Sequence, residues 1–234
     1  MPPRAAIVLI FIVGVLGTPV SAQTPPGPPG PHVIDVRGAM SALPNTDFFP
    51  AVPQGTGVPS RGFGFDVGGH VYPLTVFGKR MGVGLNIARV RATSSTVTAA
   101  PVTSGQTGQT GSTAARALPD VESTVTTIAP QVSFNFGTVD GWSYLSAGAG
   151  LGSIETRATP VAGASQTATA AATRSSGSVM SINFGGGARW FLNRHMAFGF
   201  DVRFHRLSPG REQAASPGTP GATLFAATVG VSLR

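Results

Sequence analysis

The chain alternates apolar positions with small or polar ones, in step with a pleated strand, and it does so repeatedly. In GFGFDVGGHVYPL (62–74), Phe63, Phe65, Val67 and Val71 share one side, while Gly64, Asp66, Gly68 and His70 share the other. Successive strand side chains point to opposite faces, so each such stretch has two faces of different chemistry. Period-two stretches recur over 32–42, 61–73, 80–92, 123–137, 142–154, 179–192, 196–207 and 223–233. No convincing 3.6-residue period competes with them. Each is long enough for a tilted membrane-crossing strand, which takes about 9–11 residues.

The connections carry a second pattern. Long ones (43–60, 93–122, 155–178, 208–222) alternate with short ones (74–79, 138–141, 193–195). In an up-and-down barrel, alternate connections emerge at the same rim, so this order gathers the long loops at one end and the tight turns at the other. The long segments are low in complexity: 93–118 and 156–178 hold almost no large apolar residues, as expected of loops bathed in water.

Which face meets the surroundings follows from the company of the polar residues. That face is crowded with glycine, at 62, 64, 68, 82, 84, 148, 150, 185, 187 and 199. Glycine on a solvated strand face weakens the strand and adds no solubility. Inside a narrow barrel, small side chains are what fits. The apolar face then meets lipid, and the closed ladder satisfies every backbone polar group where water is absent. The expected fold is therefore all-β, a closed up-and-down antiparallel transmembrane β-barrel of about eight strands over residues 32–234.

Composition fits this reading. Of 234 residues only 11% are charged and 41% are hydrophobic, with 32 glycines and a single lysine, Lys79; an ordinary soluble domain is about 25% charged. The start, MPPRAAIVLIFIVGVLGTPVSAQ, reads as a secretory signal over 1–22: Arg4, then the apolar run Ala5–Leu16, then Val20-Ser21-Ala22 as the cleavage site. Residues 23–31, rich in Pro and Gly, read as a stiff periplasmic lead-in. The net charge of +7 comes from scattered arginines rather than a basic run, so no nucleic-acid partner is expected.

The face assignment sorts the candidate residues. Asp35, Arg37, Asp66, His70, Arg189, Asp201, Arg203 and His205 have lumen parity, with Asn86, Gln131 and Asn135 among them. Charges inside a narrow barrel must be paired, and three Asp with three Arg can pair into a plug. Phe63, Phe65, Phe134, Phe136, Trp190, Phe198, Phe200 and Phe204 have lipid-facing parity. Phe77, Phe134, Phe136, Trp190, Phe198 and Phe200 lie beside the short turns, as in an interfacial girdle. Tyr72, Trp142, Tyr144 and Phe191 lie near the same rim with the opposite parity. In the first long loop, Phe48 and Phe49 are expected to pack on the barrel mouth or offer an apolar contact.

Together GGHVYPL (68–74), MGVGLNIA (81–88) and INFGGGARWFLNRHMAFGFDVRFHRL (182–207) resemble the small bacterial outer-membrane β-barrels, similar to the OmpA-like membrane domain. The last stretch resembles that family's penultimate hairpin: a Gly-rich strand, an Arg and aromatic pair, a tight turn, then an alternating strand with Asp-x-Arg. The resemblance implies a bacterial outer-membrane location, periplasmic termini and outward long loops. It also implies contacts with membrane lipids and with the outer-membrane assembly machinery. That family's last strand usually ends on an aromatic residue; TVGVSLR keeps Gly230 and Leu233 and finishes on Arg234.

Chemistry-bearing motifs are scarce. There is no cysteine, no HExxH and no GxSxG, and the histidines at 32, 70, 195 and 205 lack metal spacing. GAGLGS (148–153) lacks the strand-to-helix setting of a phosphate loop. His70 or His205 with Asp201 is a conceivable acid–base pair, and HRLS (205–208) sets a His near a Ser at the outer rim. The expected role is non-enzymatic, without cofactor, metal or catalytic residues: a monomeric barrel with a plugged polar lumen, presenting loops for envelope structure, adhesion or contact with an extracellular ligand. A narrow pore or small-molecule conduit is the alternative, and a lipid-modifying barrel enzyme a third.

Overall fold

The computed structural model describes residues 32–43, 59–94, 120–138, 141–159, 172–211 and 218–234. The signal segment, the lead-in, Phe48 and Phe49 and most of the long loops lie outside the described residues. Among the described residues there are nine strands: β1 (His32–Ala42), β2 (Arg61–Val76), β3 (Lys79–Ser94), β4 (Asp120–Thr138), β5 (Gly141–Thr159), β6 (Ala172–Ser175), β7 (Val179–Phe191), β8 (Met196–Leu207) and β9 (Ala222–Leu233). Val, Ile, Phe and Thr supply the outward and upper positions of these strands, residue types that fit a pleated surface.

Eight of the strands form the barrel. Hydrogen-bonded neighbours run β4-β3-β2-β1-β9-β8-β7-β5, and pairing of β4 with β5 closes the ring. Every pairing is antiparallel. Closure leaves no open edge among the long strands, which is the condition for a sheet to sit in hydrocarbon. β6 is an addition to the expected strands. It lies in the segment read as a loop, pairs with Glu155–Ala158 of β5, and leads through 176–178 into β7. The long strands also rise further than their alternation suggests: β4 and β5 run for 19 residues each, against 11 for β1 and 12 for β8 and β9. The barrel wall is therefore taller on the β3–β5 side.

The turn between β2 and β3 is as tight as a hairpin allows. Phe77 (φ 52°) and Gly78 (φ 72°) both occupy left-handed backbone, the pattern whose twist matches the flanking strands. A bulge between Val71 and Leu74 accommodates Pro73.

Burial alternates along the strands, but which residue type is buried changes with height. Between the short turns and the middle of the wall, large apolar residues face out: Leu85 and Ile87 on β3, Ile128 and Val132 on β4, Leu145 and Leu151 on β5, Phe198 and Phe204 on β8. Their inward neighbours there are Asn86, Gln131, Ser146 and Arg203. Nearer the loops the arrangement inverts. Arg89, Thr126, Ser153, Arg206 and Thr223 point outward, and Val90, Val125, Ile154, Leu207 and Leu224 are buried. The crossover falls in one register row on β3, β4 and β5, because Ile87, Ile128 and Leu151 align, as do Arg89, Thr126 and Ser153 two residues nearer the loops; on β2 the outward Phe65 and Phe63 stand opposite Arg89 and Arg91. An exterior apolar band over a polar interior belongs in lipid; a polar exterior over an aliphatic interior belongs in water. The crossover is where the exterior of these strands changes from apolar to polar.

Candidate functional site

The barrel interior is built in layers. At the short-turn end, Val33, Tyr72 and Trp142 are buried together with Phe191 against them. Tyr72 meets Trp142 edge to face at 5.1 Å, and Trp142 meets Phe191 the same way at 5.9 Å, the geometry that aromatic quadrupoles favour. Tyr72, Trp142, Tyr144 and Phe191 thus form an internal set, distinct from the outward aromatics near that rim. Glycine makes the space for it: a Cβ at Gly82 would lie 2.3 Å from the Tyr72 ring.

Above this aromatic layer lies an ionic network centred on Asp35 of β1. Arg189 of β7, on the far wall, donates to both carboxylate oxygens, from Nε to Oδ1 at 2.9 Å and from Nη2 to Oδ2 at 2.6 Å. Arg37 Nη2 approaches Asp35 Oδ1 at 2.8 Å, and Ser232 Oγ donates to the same oxygen at 2.5 Å. Arg37 also reaches Asp66 Oδ1 at 3.2 Å, and Asn86 donates to Asp66 Oδ2 at 2.8 Å. The guanidinium of Arg189 lies 4.0 Å from the Tyr144 ring centroid, adding a cation–π contact. Tyr144 in turn donates its hydroxyl to Asp201 Oδ2 at 2.8 Å.

Arg203 completes the set. It donates to Asp201 from Nε and Nη2, at 3.1 and 2.9 Å, to Asn183 Oδ1 at 3.0 Å and to Ser146 Oγ at 2.8 Å. Gln131 donates to the same Asn183 oxygen at 2.8 Å. Arg37, Arg189 and Arg203 face Asp35, Asp66 and Asp201, three cations against three anions, all at most 4% exposed. Burying such groups singly would cost several kcal/mol each in the low-dielectric interior; here each faces an opposite charge, and the carboxylates of Asp35, Asp66 and Asp201 each accept a further hydrogen bond, from Ser232, Asn86 and Tyr144. Arg189, at 0% exposure, ties two strands 154 positions apart. The lumen network read from the sequence left out Ser146, Asn183 and Ser232, and Tyr144, whose parity already pointed inward. Their signal was present, since each shares a face with a charged lumen residue on its own or an adjacent strand.

Of the remaining lumen-parity residues, His70 is buried in contact with the aromatic layer, its ring stacked on Tyr72 at 6.2 Å. His205 is buried higher up and lines a cavity of about 20 Å³ with Ser41, Asp66, Thr127, Arg203 and Thr228, room for about one water. Serine, histidine and aspartate meet at this cavity without the bonds of a catalytic set. Ser41 Oγ donates to the carbonyls of Phe225 and Ala42, and Asp66 is held by Arg37 and Asn86. Nucleophilic catalysis needs the nucleophile bonded to its base. The carboxylate of Asp201 is engaged by Arg203 and Tyr144, so neither His70 nor His205 is its hydrogen-bonded partner. Among the described residues, no group of three His, Asp or Glu is placed to hold a metal ion.

At the loop end, Leu43, Val121, Val125, Ile154, Val179, Leu207 and Leu224 form an aliphatic layer that caps the cavity. On the exterior, Phe63 (67% exposed), Phe65, Trp190, Phe198, Phe200 and Phe204 stand out from the wall, with Phe134 and Phe136 partly covered by each other and their neighbours. Trp190 stacks on Phe198 and Phe200 at 6.3 and 5.6 Å, forming an aromatic cluster near the short turns. Phe77, 96% exposed at its turn, projects beyond it.

A closed antiparallel barrel with an apolar outer band, an outer aromatic cluster near one rim and an ion-paired interior has the build of an outer-membrane-type transmembrane β-barrel. No family model matches the chain, and no curated protein matches it. Among solved structures, the chain is similar to Ail, the attachment invasion locus protein of Yersinia pestis, in complex with the heparin analogue sucrose octasulfate. The two are 13% identical with a TM-score of 0.49, over 86% of this chain and 96% of that one. It is likewise similar to Neisserial surface protein A, at 9% identity and a TM-score of 0.49, over 88% of this chain and 97% of that one. A third is the outer membrane protein OprG from Pseudomonas aeruginosa, at 13% identity and a TM-score of 0.42, over 88% and 96%.

Proposed function

We propose that this protein is a non-enzymatic, monomeric membrane scaffold whose sealed barrel holds four long segments at the cell surface, for envelope structure, adhesion or contact with an extracellular ligand. The observation that carries the reading is the layered interior. An aromatic layer, a charge-balanced ionic network and an aliphatic layer follow one another along the axis, leaving a cavity of about 20 Å³ between the second and third. Such a stack offers no aqueous path to an ion, and its hydrogen-bonded charges hold opposite walls together rather than face a substrate. Asp35, Arg37, Asp66, Arg189, Asp201 and Arg203 act as the plug, with His70 and His205 filling space beside it. The outward phenylalanines and Trp190 act as the lipid contact. Residues 1–22 serve as the export signal and the last strand as the part read by the assembly machinery.

Planar-bilayer recording tests the sealed lumen. The wild-type protein is expected to give no discrete openings. Openings in the wild type that change in Arg189→Ala would replace the scaffold with a narrow pore.

A further inference from the structure

The lumen has no charge to spare. Three guanidinium groups, Arg37, Arg189 and Arg203, face the carboxylates of Asp35, Asp66 and Asp201, and among the described lumen residues no carboxylate is left for a fourth cation. Yet His205 is buried in the same interior, 4% exposed, and lines the cavity of about 20 Å³ together with Asp66 and Arg203. Its Nδ1 makes no hydrogen bond with a described residue, and neither does the hydroxyl of Thr228 on the same cavity. The charged groups facing His205 are Arg203 and Asp201 from its own strand and Asp66 from β2. At the cavity and in the ladders beside it, β1, β3, β4, β7 and β9 contribute uncharged side chains, Ser41, Ala88, Thr127, Asn183 and Leu224 among them. Asp66 is also the carboxylate that arginine holds least closely. Its contact with Arg37 is 3.2 Å, against 2.6 and 2.8 Å at Asp35 and 2.9 Å at Asp201.

We propose that His205 and Asp66, which share this cavity, form an acid-operated latch on the plug: an imidazolium at His205 draws Asp66 away from Arg37, and the lumen opens to water. Imidazole is the side chain that ordinarily gains its charge between about pH 8 and 5, whereas carboxylates ordinarily keep theirs down to about pH 4. Acid near pH 5 therefore adds a cation to the lumen without removing an anion. The proton comes from water and settles on a ring nitrogen, and no other bond is made or broken. Four cations cannot all pair with three carboxylates, and an unpaired charge is tolerated only where water reaches it. The closed plug is thus favoured at pH 7 and loses ground as the pH falls through the ordinary imidazole range. For an imidazole that takes its proton only in the open form, at the ordinary pKa of about 6.5, the open form gains about 25-fold between pH 7 and pH 5. The latch rests on the reading of a lumen sealed at neutral pH.

The test is planar-bilayer recording of the full-length barrel in potassium chloride buffered at pH 7 and at pH 5. Wild type is expected to be silent at pH 7 and to show discrete openings at pH 5, the open fraction rising at least about tenfold. His205→Asn and the longer His205→Gln, neutral at both pH values, should stay closed at both. His195→Asn, at the exposed short-turn rim, should open as wild type does. Silence of wild type at both pH values overturns the latch without recourse to any variant, and leaves the sealed scaffold standing. Openings of wild type already at pH 7 overturn the sealed lumen itself, and the latch with it. Openings at pH 5 that persist in a folded His205 variant overturn the latch alone. Folding of each variant is read separately, by the shift in gel mobility between unheated and boiled samples.

Discussion

Two cross-sections of the same barrel obey opposite rules. At the level of Asp35 and Arg189 the interior is ionic and the exterior apolar; at the level of Ile154 and Leu207 the interior is aliphatic, and Ser153, Glu155 and Arg206 point outward. The strands are continuous through both, and neither backbone geometry nor alternation changes. What changes is the solvent. In hydrocarbon the exterior has no competing water and takes apolar side chains, leaving the lumen as the place for polar groups. Above the hydrocarbon the ordinary hydrophobic effect returns and fills the lumen with Val, Ile and Leu. The comparison teaches that the change of exterior is written into the strands themselves, in the same register row on β3, β4 and β5.

Asp35→Ala attacks the lower level where it is most committed. It strands Arg37 and Arg189 without their shared anion and should cost about 3–5 kcal/mol in urea unfolding from vesicles. The pair Asp35→Ala with Arg189→Ala should lose less than the sum of the single changes, since the groups belong to one network. If the two add, the network is not a unit.

Placing one charge at each level sharpens the contrast. Val132→Arg on the lipid face should cost about 2–4 kcal/mol, the range for an arginine near the bilayer midplane. Thr124→Arg, outward on the same strand above the crossover, should be within about 0.5 kcal/mol of wild type. Equal costs would move the membrane edge away from the row between Ile128 and Thr126. Ile154→Val in the aliphatic layer should cost about 0.5–1.5 kcal/mol by removing one buried methylene.

Cysteine introduced along β8, in a chain with no cysteine of its own, reads the levels without perturbing them much. Positions 198, 200 and 204 should react with a lipid-soluble maleimide, and position 206 with a water-soluble one. The smallest effect is expected at the turn. Phe77→Asn relieves a bulky residue in left-handed backbone and should stabilise by under about 1 kcal/mol.

Much of the architecture was legible because a strand has a period of two. Once 196–207 alternates Phe198, Phe200 and Phe204 against Asp201, Arg203 and His205, one choice of face orders the whole stretch. The sorting of long and short connections then gives the up-and-down course. Legibility failed where the rule depends on context. Tyr72, Trp142 and Tyr144 had inward parity at a rim where rings usually face lipid, and alternation gave no reason for it; inside, the gap left by Gly82 across the strand pair made room for Tyr72. β6 was hidden in a polar, low-complexity run, since a strand held mainly by pairing with β5 above the membrane needs no apolar face.

The amino-acid sequence by itself determined the class of barrel, the two faces of each strand and the set of charges available to the lumen, because alternation and loop length are local properties of the chain. Only the tertiary structure decided which charges meet. Asp35 finds Arg189 across the barrel and Asp201 finds Tyr144, because strand stagger and closure, not spacing along the chain, set which rows face one another. It also set where the exterior turns from apolar to polar, since that row appears only when β3, β4 and β5 are aligned.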